Sequence, residues 1–287
     1  MKIALYSRKY GEEGQQFINT VIEYLQSQQF DLLVHCNCSN GNGCNDFFNS
    51  HEDLKGKGPI SFLVSIGGDG SFIDAANLVG DLNIPLVGIN TGRIGFLSGI
   101  KKDNFKECFQ KLEQGEYSLE KRSLLHVDSS KDMELSGTFA VNDITIRASD
   151  TDSINAITVW ADGQKVNTYW ADGLIIATPT GSTAYSMSCG GPILHPQSKV
   201  HVLTPIAPHS LSVRPLVIPS DIPLTITVES RNGKYILCSD TRKVIIDNDI
   251  QLLVHQESFQ IQTVLFNNNF YNIIREKLLW GLDKRNL

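Results

Sequence analysis

The sequence predicts an α/β domain with a parallel sheet, followed by an antiparallel β domain, and three observations support this prediction. The chain has 287 residues, which exceeds the usual size of one domain. Strand-like and helix-like segments alternate over residues 1–118, as they do in parallel α/β sheets. After Lys121 the sequence changes to short Thr/Ile/Val runs separated by turn residues. We therefore expect a Rossmann-like α/β domain at residues 1–120 plus 268–287 and a β-sandwich at residues 121–267.

Four segments of the first domain are predicted to be strands, at residues 2–7, 30–35, 60–66 and 85–89. The last two are almost entirely apolar, which is typical of strands that are covered on both faces. A helix is predicted after the first strand, because four large side chains recur there at helical spacing: Phe17, Val21, Tyr24 and Leu25.

Two more helices are predicted from their ends. Ser71 and Asp74 have the spacing of a capping box, which predicts a helix over residues 71–79. Asp103 is the predicted N-cap of the next helix, and Gly115 is its predicted stop. The segment at residues 39–58 is rich in Asn, Gly and Asp, so we expect an exposed loop with at most a short helix.

The second domain is predicted from alternating β-type runs and turn signals. Asp162-Gly163 separates two such runs, which indicates a hairpin. The other short runs favour an antiparallel sandwich. The chain then ends in an amphipathic helix, which we expect to return to the N-terminal domain, where an apolar surface can cover its repeating side chains: Phe270, Ile274, Leu278 and Leu282.

Composition narrows the class of function. The formal net charge is −6 and no basic stripe is present, which argues against nucleic acid as a partner. No apolar run approaches the roughly 18 residues that span a bilayer, and the N-terminus does not resemble a signal peptide. We therefore expect a cytoplasmic protein without a membrane partner. Six cysteines are too few for a disulfide scaffold.

A cysteine-rich segment raises the question of a metal site. Cys36, Cys38 and Cys44 lie close together in the sequence, near His35 and His51. Their spacing lacks the paired C-x2-C pattern of structural zinc sites, so a surface loop is favoured. Whether these cysteines bind metal is left open by the sequence.

The first chemical motif is Gly67-Gly68-Asp69-Gly70-Ser71, directly after the apolar strand. Ligands of open α/β sheets bind at the carboxyl ends of strands, and glycines let the backbone approach a ligand closely. The start of the following helix attracts anions. A carboxylate is unfavourable beside phosphates unless it takes a proton or meets a metal. The motif lacks the G-K-[ST] ending of a Walker loop, and a tight turn with a solvated Asp69 is the structural alternative.

The second motif is the stretch WADGLIIATPTGSTAYSMSCGGPILHP at residues 170–196. It combines seven hydroxyl side chains with glycines, which is the combination that a sugar-phosphate ligand needs. Asp172 stands just before an apolar run, so it is expected at a strand end. A Ser/Thr-rich series of turns is the alternative interpretation.

This stretch resembles, almost position by position, the signature DG-x-[IV]-x-[AS]TPTGSTAYS-x-S-x-GGP-[IV]-x-HP of NAD kinases. Residues 206–219 resemble the family's ISPHSLS-x-RP segment, the stretch INTGRIGFL at residues 89–97 also matches, and Asn142-Asp143 matches an Asn-Glu pair. A GGDG loop also occurs in 6-phosphofructokinases and in diacylglycerol and sphingosine kinases, but these lack the second motif. The chain is thereby identified as a member of the NAD kinase family, which transfers a phosphoryl group from ATP to the adenosine 2′-hydroxyl of NAD.

The resemblance implies that NAD and ATP are the substrates, that NAD lies in a cleft between the two domains, and that Asp69 is the general base for the 2′-hydroxyl. Gly67, Gly68 and Gly70 would admit the ATP phosphates, and a divalent cation, with Mg²⁺ favoured, would accompany ATP. No protein ligand for that metal is assigned, and a metal triad of Asp69 with two other carboxylates is neither supported nor excluded. A homodimer or homotetramer, formed through the β domain, is also implied.

The resemblance assigns further residues to NAD and ATP binding. Asn142 and Asp143 would contact the adenine and its ribose, and Asp172 would lie toward the nicotinamide. The full set in this half of the chain is Asn142, Asp143, Asp172, Thr180, Thr183, Ala184, Tyr185, Ser186, Met187, Ser188 and Ala207.

The sequence departs from the family at two positions. Asp143 replaces the usual Glu, which shortens its reach toward the ribose, and Trp170 stands where many relatives have Arg or Lys. His195 and His209 lie within matched segments, but each adjoins Pro and neither has a nucleophile to pair with. We interpret both as structural.

Two other functions compete with the kinase. A different GGDG kinase, acting on a sugar phosphate or lipid, would not explain the motif at residues 172–196. A dinucleotide-binding sensor without catalysis would need the pocket but not Asp69. A hydrolase lacks its G-x-S-x-G elbow. The sequence leaves open ATP against polyphosphate as the donor, the acceptance of NADH, regulation and oligomeric state.

Overall fold

The computed structural model describes residues 1–8, 11–38, 46–92, 95–135, 137–150, 154–266 and 270–280. It divides into two compact units, one formed by Met1–Lys121 with Ile261–Leu287 and the other by Arg122–Gln260. None of the helices in these ranges is long and apolar enough to cross a bilayer.

The described residues form twenty strands. In chain order these are β1 Lys2–Ser7, β2 Asp31–His35, β3 Phe47–Phe48, β4 Phe62–Ile66, β5 Leu86–Asn90, β6 Ile100–Lys101, β7 Ser118–Arg122, β8 Leu125–Ser129, β9 Thr138–Ala140, β10 Asp143–Ala148, β11 Asn155–Ala161, β12 Gln164–Ala171, β13 Gly173–Ala177, β14 Val200–Ile206, β15 Leu216–Pro219, β16 Leu224–Glu229, β17 Lys234–Ser239, β18 Arg242–Asp247, β19 Leu252–Gln256 and β20 Ile261–Leu265.

The same residues form six α-helices: α1 Glu12–Ser27, α2 His51–Gly56, α3 Asp69–Val79, α4 Phe105–Gln114, α5 Tyr185–Ser188 and α6 Phe270–Leu278. Short 3₁₀ turns lie at Cys36–Cys38, Lys102–Asn104 and Gly181–Thr183.

The first unit is an eight-stranded sheet with helices packed on it. The strand order is β3-β2-β1-β4-β5-β20-β7, with β6 beside β5. The pairs that join β1, β2, β4, β5 and β20 are all parallel. Every residue of β4 is buried, because this central strand is covered on both faces. Strand β20 and helix α6, at the end of the chain, also belong to this unit. The closing helix therefore returns to the N-terminal domain, as predicted.

The second unit is an antiparallel β-sandwich. One sheet has the order β15-β14-β13-β10-β17-β18, and the other has the order β12-β11-β16-β19-β8-β9. Apolar side chains from both sheets form one core between them, including Ile144 and Ile176 from the first sheet and Ile157 and Val254 from the second. The predicted fold class of a parallel α/β domain, a β-sandwich and a returning helix is confirmed.

Several local predictions can be compared with the structure. The hairpin at Asp162-Gly163 is confirmed, with φ of 49° and 73° at the two positions, which a type I′ turn requires. Gly115 ends α4 with φ of 73°, as predicted. Both predicted N-caps are wrong. Helix α3 begins after Gly68, which places Ser71 inside the first turn, and α4 begins after Asn104, which leaves Asp103 in a 3₁₀ turn.

The segment expected to be a loop at residues 39–58 contains the two-residue strand β3 and the short helix α2 in its described part. Residues 39–45, with Cys44, lie outside the described residues, as does Leu282 of the predicted closing helix. Cys36 is exposed and Cys38 is buried in the core of the first unit.

Candidate active site

Asp69 is the first residue of α3, and it lies at the carboxyl end of the parallel sheet. Its carboxylate accepts hydrogen bonds from three consecutive backbone N–H groups: Oδ2 accepts from Phe96 at 2.8 Å, and Oδ1 accepts from Leu97 at 3.0 Å and Ser98 at 3.4 Å. A carboxylate has about four lone-pair positions, so one position on Oδ2 is left by these donors. The loop after β5 therefore fixes both the place and the orientation of this acid.

Glycines make the tight geometry around Asp69 possible. Gly67 has φ of 149°, a conformation that L side chains rarely adopt, and its N–H donates to Ile89 O at 2.8 Å. A Cβ on Gly95 would lie 1.9 Å from Asp69 Oδ1, which no side chain can tolerate. A Cβ on Gly70 would lie 2.8 Å from a guanidinium nitrogen of Arg8. The backbone at Gly95 therefore lies in contact with the Asp69 carboxylate, and the backbone at Gly70 lies in contact with the Arg8 guanidinium.

Arg8 connects the end of β1 to α3. Its guanidinium makes two hydrogen bonds to the carboxylate of Asp74, at 2.5 and 3.0 Å, and the Tyr6 hydroxyl donates to the same carboxylate at 3.0 Å. Burial, together with the charge of Asp74, raises the pKa of Tyr6. The side chain of Asp74 therefore anchors the helix that begins at Asp69 and does not cap it.

A cavity of about 290 Å³ lies next to the loop that holds Asp69. It is lined by Phe96 and Ser98 of that loop, by Lys101 and Lys102, and by Lys277 of α6. Burial lowers the pKa of Lys277, and the charge of Asp69 acts against this effect. Three lysines outnumber the one carboxylate of the lining, Glu276, so the cavity is suited to an anionic ligand.

In the second unit, the half-buried carboxylate of Asp240 organises the loop before β10. Asp240 accepts hydrogen bonds from the backbone N–H groups of Val141 at 2.7 Å, Asn142 at 2.8 Å and Asp143 at 3.2 Å. Burial raises the pKa of Asp240, and the three N–H donors and Arg242 act against it. This side chain fixes the backbone of the predicted Asn142-Asp143 pair.

Asp143 itself is buried, with 8% of its surface exposed. Burial raises its pKa to about 6, and the nearby charge of Asp240 adds to the rise. The Thr145 hydroxyl donates to Asp143 Oδ1 at 2.8 Å and opposes it. A carboxyl group with this pKa changes its charge in the physiological range.

The hydroxyl-rich stretch packs directly on the Asn142 loop. Thr178 donates its N–H to Asn142 O at 2.9 Å and its hydroxyl to Val141 O at 2.7 Å. A Cβ on Gly181 would lie 2.0 Å from Asn142 O, so only glycine fits at that position. The Ser186 hydroxyl lies 2.8 Å from the Thr204 hydroxyl. Many of the predicted hydroxyls thus hold the segment in place.

The predicted residues of this unit fall at the two ends of β13. Asn142, Asp143 and Thr180 lie at its carboxyl end, whereas Asp172 precedes its amino end. Ala207 is near Asp172, whose N–H donates to Ile206 O at 3.1 Å. Five residues of strand separate the ends by roughly 16 Å, at about 3.3 Å per residue. The structure brings the predicted residues into two groups along one strand.

Between these groups, the segment from Thr183 to Ser188 forms the end of a 3₁₀ turn and the short helix α5. Tyr185 of this segment is exposed, and the hydroxyl of Thr183 donates to Thr180 O at 3.2 Å. Ala207 has φ of 44°, an unusual conformation for a non-glycine residue, and such strain is often kept at functional positions.

Known proteins match this chain over almost its whole length. The ATP-NAD kinase N-terminal domain matches residues 18–117, and the ATP-NAD kinase C-terminal domain matches residues 141–264. The NAD kinase of Cytophaga hutchinsonii is 38% identical over 296 residues and covers all of both chains. The NAD kinase of Flavobacterium psychrophilum is 38% identical with the same coverage.

The chain belongs to the NAD kinase family.

Solved structures of NAD kinases and NADH kinases have the same fold. The NADH kinase of yeast, complexed with NADH, superposes with a TM-score of 0.86 at 23% identity and covers 98% of this chain and 88% of that one. The NAD kinase of Archaeoglobus fulgidus, in complex with ATP, gives a TM-score of 0.76 at 25% identity and covers 98% of this chain and all of that one.

The structure places three further residues beside the predicted site residues or in the cavity. Gly95 fits against Asp69, and Asp240 holds the backbone of Asn142, although each pair is well separated in the sequence. Lys277 of α6 adds a cation to the cavity. Gly95 lies within the matched stretch INTGRIGFL, so the sequence held a signal for it. Asp240 and Lys277 had none, because nothing in their local sequence distinguishes them from a turn residue and a helix residue.

We continue to interpret His195 and His209, the histidines of the matched segments, as structural. His195 Nδ1 accepts from the Gln197 N–H at 3.2 Å, as in a turn, and the N–H of His209 donates to Trp170 O at 2.8 Å. Trp170 is 59% exposed on the edge strand β12.

Proposed function

We propose that this NAD kinase family member transfers the γ-phosphoryl group of ATP to the adenosine 2′-hydroxyl of NAD, giving NADP and ADP, with Asp69 as the general base. The observation that supports the base is its fixed orientation: three backbone N–H donors occupy three positions of the carboxylate and leave one on Oδ2. The 2′-hydroxyl proton passes to that oxygen while the 2′-oxygen forms its bond to the γ-phosphorus. The bond between the γ-phosphorus and its bridging oxygen breaks, and ADP leaves.

A carboxylate is a weak base toward an alcohol, so placement and charge stabilisation supply most of the rate. The cavity lined by Lys101, Lys102 and Lys277 is the proposed place for ATP phosphates, because its cations balance their charge. Gly67, Gly68 and Gly70 give the phosphates access to the backbone.

A divalent cation bound to the phosphates would neutralise charge that develops on the transferred group. The oxygens of Asp69 are largely occupied by N–H donors, which fits a cation held chiefly by ATP. Magnesium as that cation, a homodimer or homotetramer, and a cytoplasmic location remain predictions.

For NAD, we propose that the two groups at the ends of β13 bind the two ends of the dinucleotide. Asn142 and Asp143 contact the adenine and its ribose, and Asp172 lies toward the nicotinamide. The other residues proposed to line this site are Thr180, Thr183, Ala184, Tyr185, Ser186, Met187, Ser188 and Ala207. Their spread along one strand supports an extended ligand better than a compact one.

The test is incubation of the purified protein with ATP, Mg²⁺ and NAD, followed by an NADP-specific enzymatic assay. Fructose 6-phosphate and a diacylglycerol serve as competing acceptors. We expect NADP and no phosphorylation of the other two. Folded protein that makes no NADP above a no-enzyme control would refute the proposal, and product from either competing acceptor would favour another GGDG kinase.

Asp69→Asn separates a kinase from a sensor. General-base catalysis contributes typically 10²–10⁴-fold, so we expect kcat to fall at least about a hundredfold while NAD binding, measured by calorimetry, is retained. Unchanged turnover in this variant would exclude Asp69 as the base.

A further inference from the structure

Two histidines and two carboxylates form a cluster in the second unit, outside the motifs of the active site. Antiparallel pairing of β8 and β19 places His126 directly opposite His255. Their rings stack with centroids 4.9 Å apart and an angle of 27° between the planes. The neighbouring residues Val127 and Val254 point into the core of the sandwich, so the histidines stand on the outer face of the sheet.

Asp128 lies between the two rings. One of its oxygens is 3.2 Å from His126 Nε2, and the other is 3.1 Å from His255 Nε2. One ligand atom from each of the three residues lies within 4.8 Å of the others. Zinc bonds to nitrogen and oxygen are about 2.0–2.1 Å, so ligand atoms of a tetrahedral site lie about 3.3 Å apart. Each Nε2 lies at nearly this distance from one of the two oxygens of Asp128.

The other ring nitrogens point to acceptors as well. His126 Nδ1 is 2.5 Å from Glu257 Oε2, and His255 Nδ1 is 3.0 Å from the backbone oxygen of Gln256. A neutral imidazole has one N–H, so it can satisfy only one of its two acceptors. If Nδ1 donates, each Nε2 lone pair faces an oxygen of Asp128. A cation between these atoms removes the repulsion, and metal-ligating histidines have this outer partner on their second nitrogen.

Charge and access agree with a bound cation. With neutral imidazoles, Asp128 and Glu257 together give the cluster a charge of −2, which a divalent ion balances. The side chains of His126, His255 and Asp128 are 18%, 34% and 43% exposed, so an ion can enter from solvent.

We propose that His126, His255 and Asp128 bind a divalent transition metal of the zinc type, with Glu257 orienting the His126 ring. Mixed nitrogen and oxygen ligands favour such an ion over Mg²⁺, which prefers oxygen alone. Water completes the coordination on the exposed side. The site is independent of the proposed phosphoryl transfer and needs no nucleotide.

The experiment is calorimetric titration of chelator-treated full-length protein with ZnCl₂ in the absence of nucleotide. We expect one saturable site per chain that MgCl₂ does not fill. His255→Gln and Asp128→Asn each remove a ligand and should weaken binding at least about a hundredfold. Glu257→Gln removes only the outer partner of His126 and should weaken it about 10- to 100-fold.

His51→Gln is the matched control, because His51 also has a carboxylate partner, Asp81, with His51 Nε2 and Asp81 Oδ1 3.4 Å apart in the first unit. Zinc affinity of this variant should equal that of the unchanged protein. CoCl₂ provides a second readout, since cobalt in a tetrahedral site absorbs strongly in the visible range. Absence of a saturable zinc site, or zinc binding by His255→Gln and Asp128→Asn as tight as that of the unchanged protein, would overturn the proposal.

Discussion

Gly95 lies so close to Asp69 that a Cβ on the glycine would be 1.9 Å from Oδ1 and 2.4 Å from the carboxylate carbon. The carboxylate and the backbone of residues 95–98 therefore fit together only when position 95 has no side chain. Since the same segment donates the three N–H groups to Asp69, any displacement of it also moves the proposed base.

Gly95→Ala should therefore lower kcat in the NADP assay about a hundredfold, because a displacement of about 1 Å at a reacting group can cost that much. KM for NAD should change little. Gly56→Ala is the control: a Cβ on Gly56 meets nothing within 4 Å, and this variant should keep full activity. Full activity of Gly95→Ala would contradict the proposed role of this contact.

Asp240→Asn should loosen the loop that presents Asn142 and Asp143. An amide places an N–H₂ group against backbone N–H donors, so at least one of the three hydrogen bonds is lost. We expect a loss of about 1–3 kcal/mol in the free energy of unfolding by urea, and a larger rise in KM for NAD than fall in kcat. A variant with unchanged stability and KM would show that this carboxylate does not support the site.

Asp143 should make NAD affinity depend on pH. Its pKa of about 6 in the folded protein means that the carboxyl group is protonated below that pH and ionised above it. The ionised form accepts more hydrogen bonds from ribose hydroxyls, so KM for NAD should fall as pH rises through about 6.

The measurement is KM for NAD from pH 5 to pH 8. Asp143→Asn should remove this dependence, whereas Asp162→Asn, at the exposed hairpin turn, should retain it. The same pH profile in Asp143→Asn and in the unchanged enzyme would assign the dependence to another group.

His201 should weaken the folded protein at acidic pH. It is 1% exposed, and burial lowers its pKa from 6.5 to about 4. Between these values the unfolded chain binds a proton that the folded chain does not, so the free energy of unfolding falls as pH drops from 6.5 to 4. The loss should be about 2 kcal/mol at pH 5, at about 1.4 kcal/mol per pH unit.

Urea unfolding at pH 7.5 and pH 5 measures this effect. His201→Leu lacks the titrating ring and should lose about 2 kcal/mol less than the unchanged protein between the two pH values. Equal losses in the two proteins would show that His201 takes up no proton on unfolding in this range.

The two failed cap predictions show where local patterns stop being informative. Ser71 and Asp74 have capping-box spacing, but Gly67 and Gly68 end the strand so abruptly that α3 starts at Asp69. Asp74 is then used by Arg8 and Tyr6, which lie 66 and 68 residues away in the sequence. Competition from distant partners decided the role of this carboxylate.

The sequence by itself determined the two-domain fold, the hairpin at Asp162-Gly163 and the motif residues. The fold follows from the spacing of apolar residues, the hairpin from the turn conformation that Asp-Gly adopts, and the motifs from residue spacing along a short stretch of chain. Only the tertiary structure decided that Gly95 fits against Asp69, that Asp240 holds the Asn142 loop, and that His126 faces His255 across two strands. The last two pairs are 98 and 129 residues apart, and all three contacts depend on strand order, strand register and loop path, which no local pattern specifies.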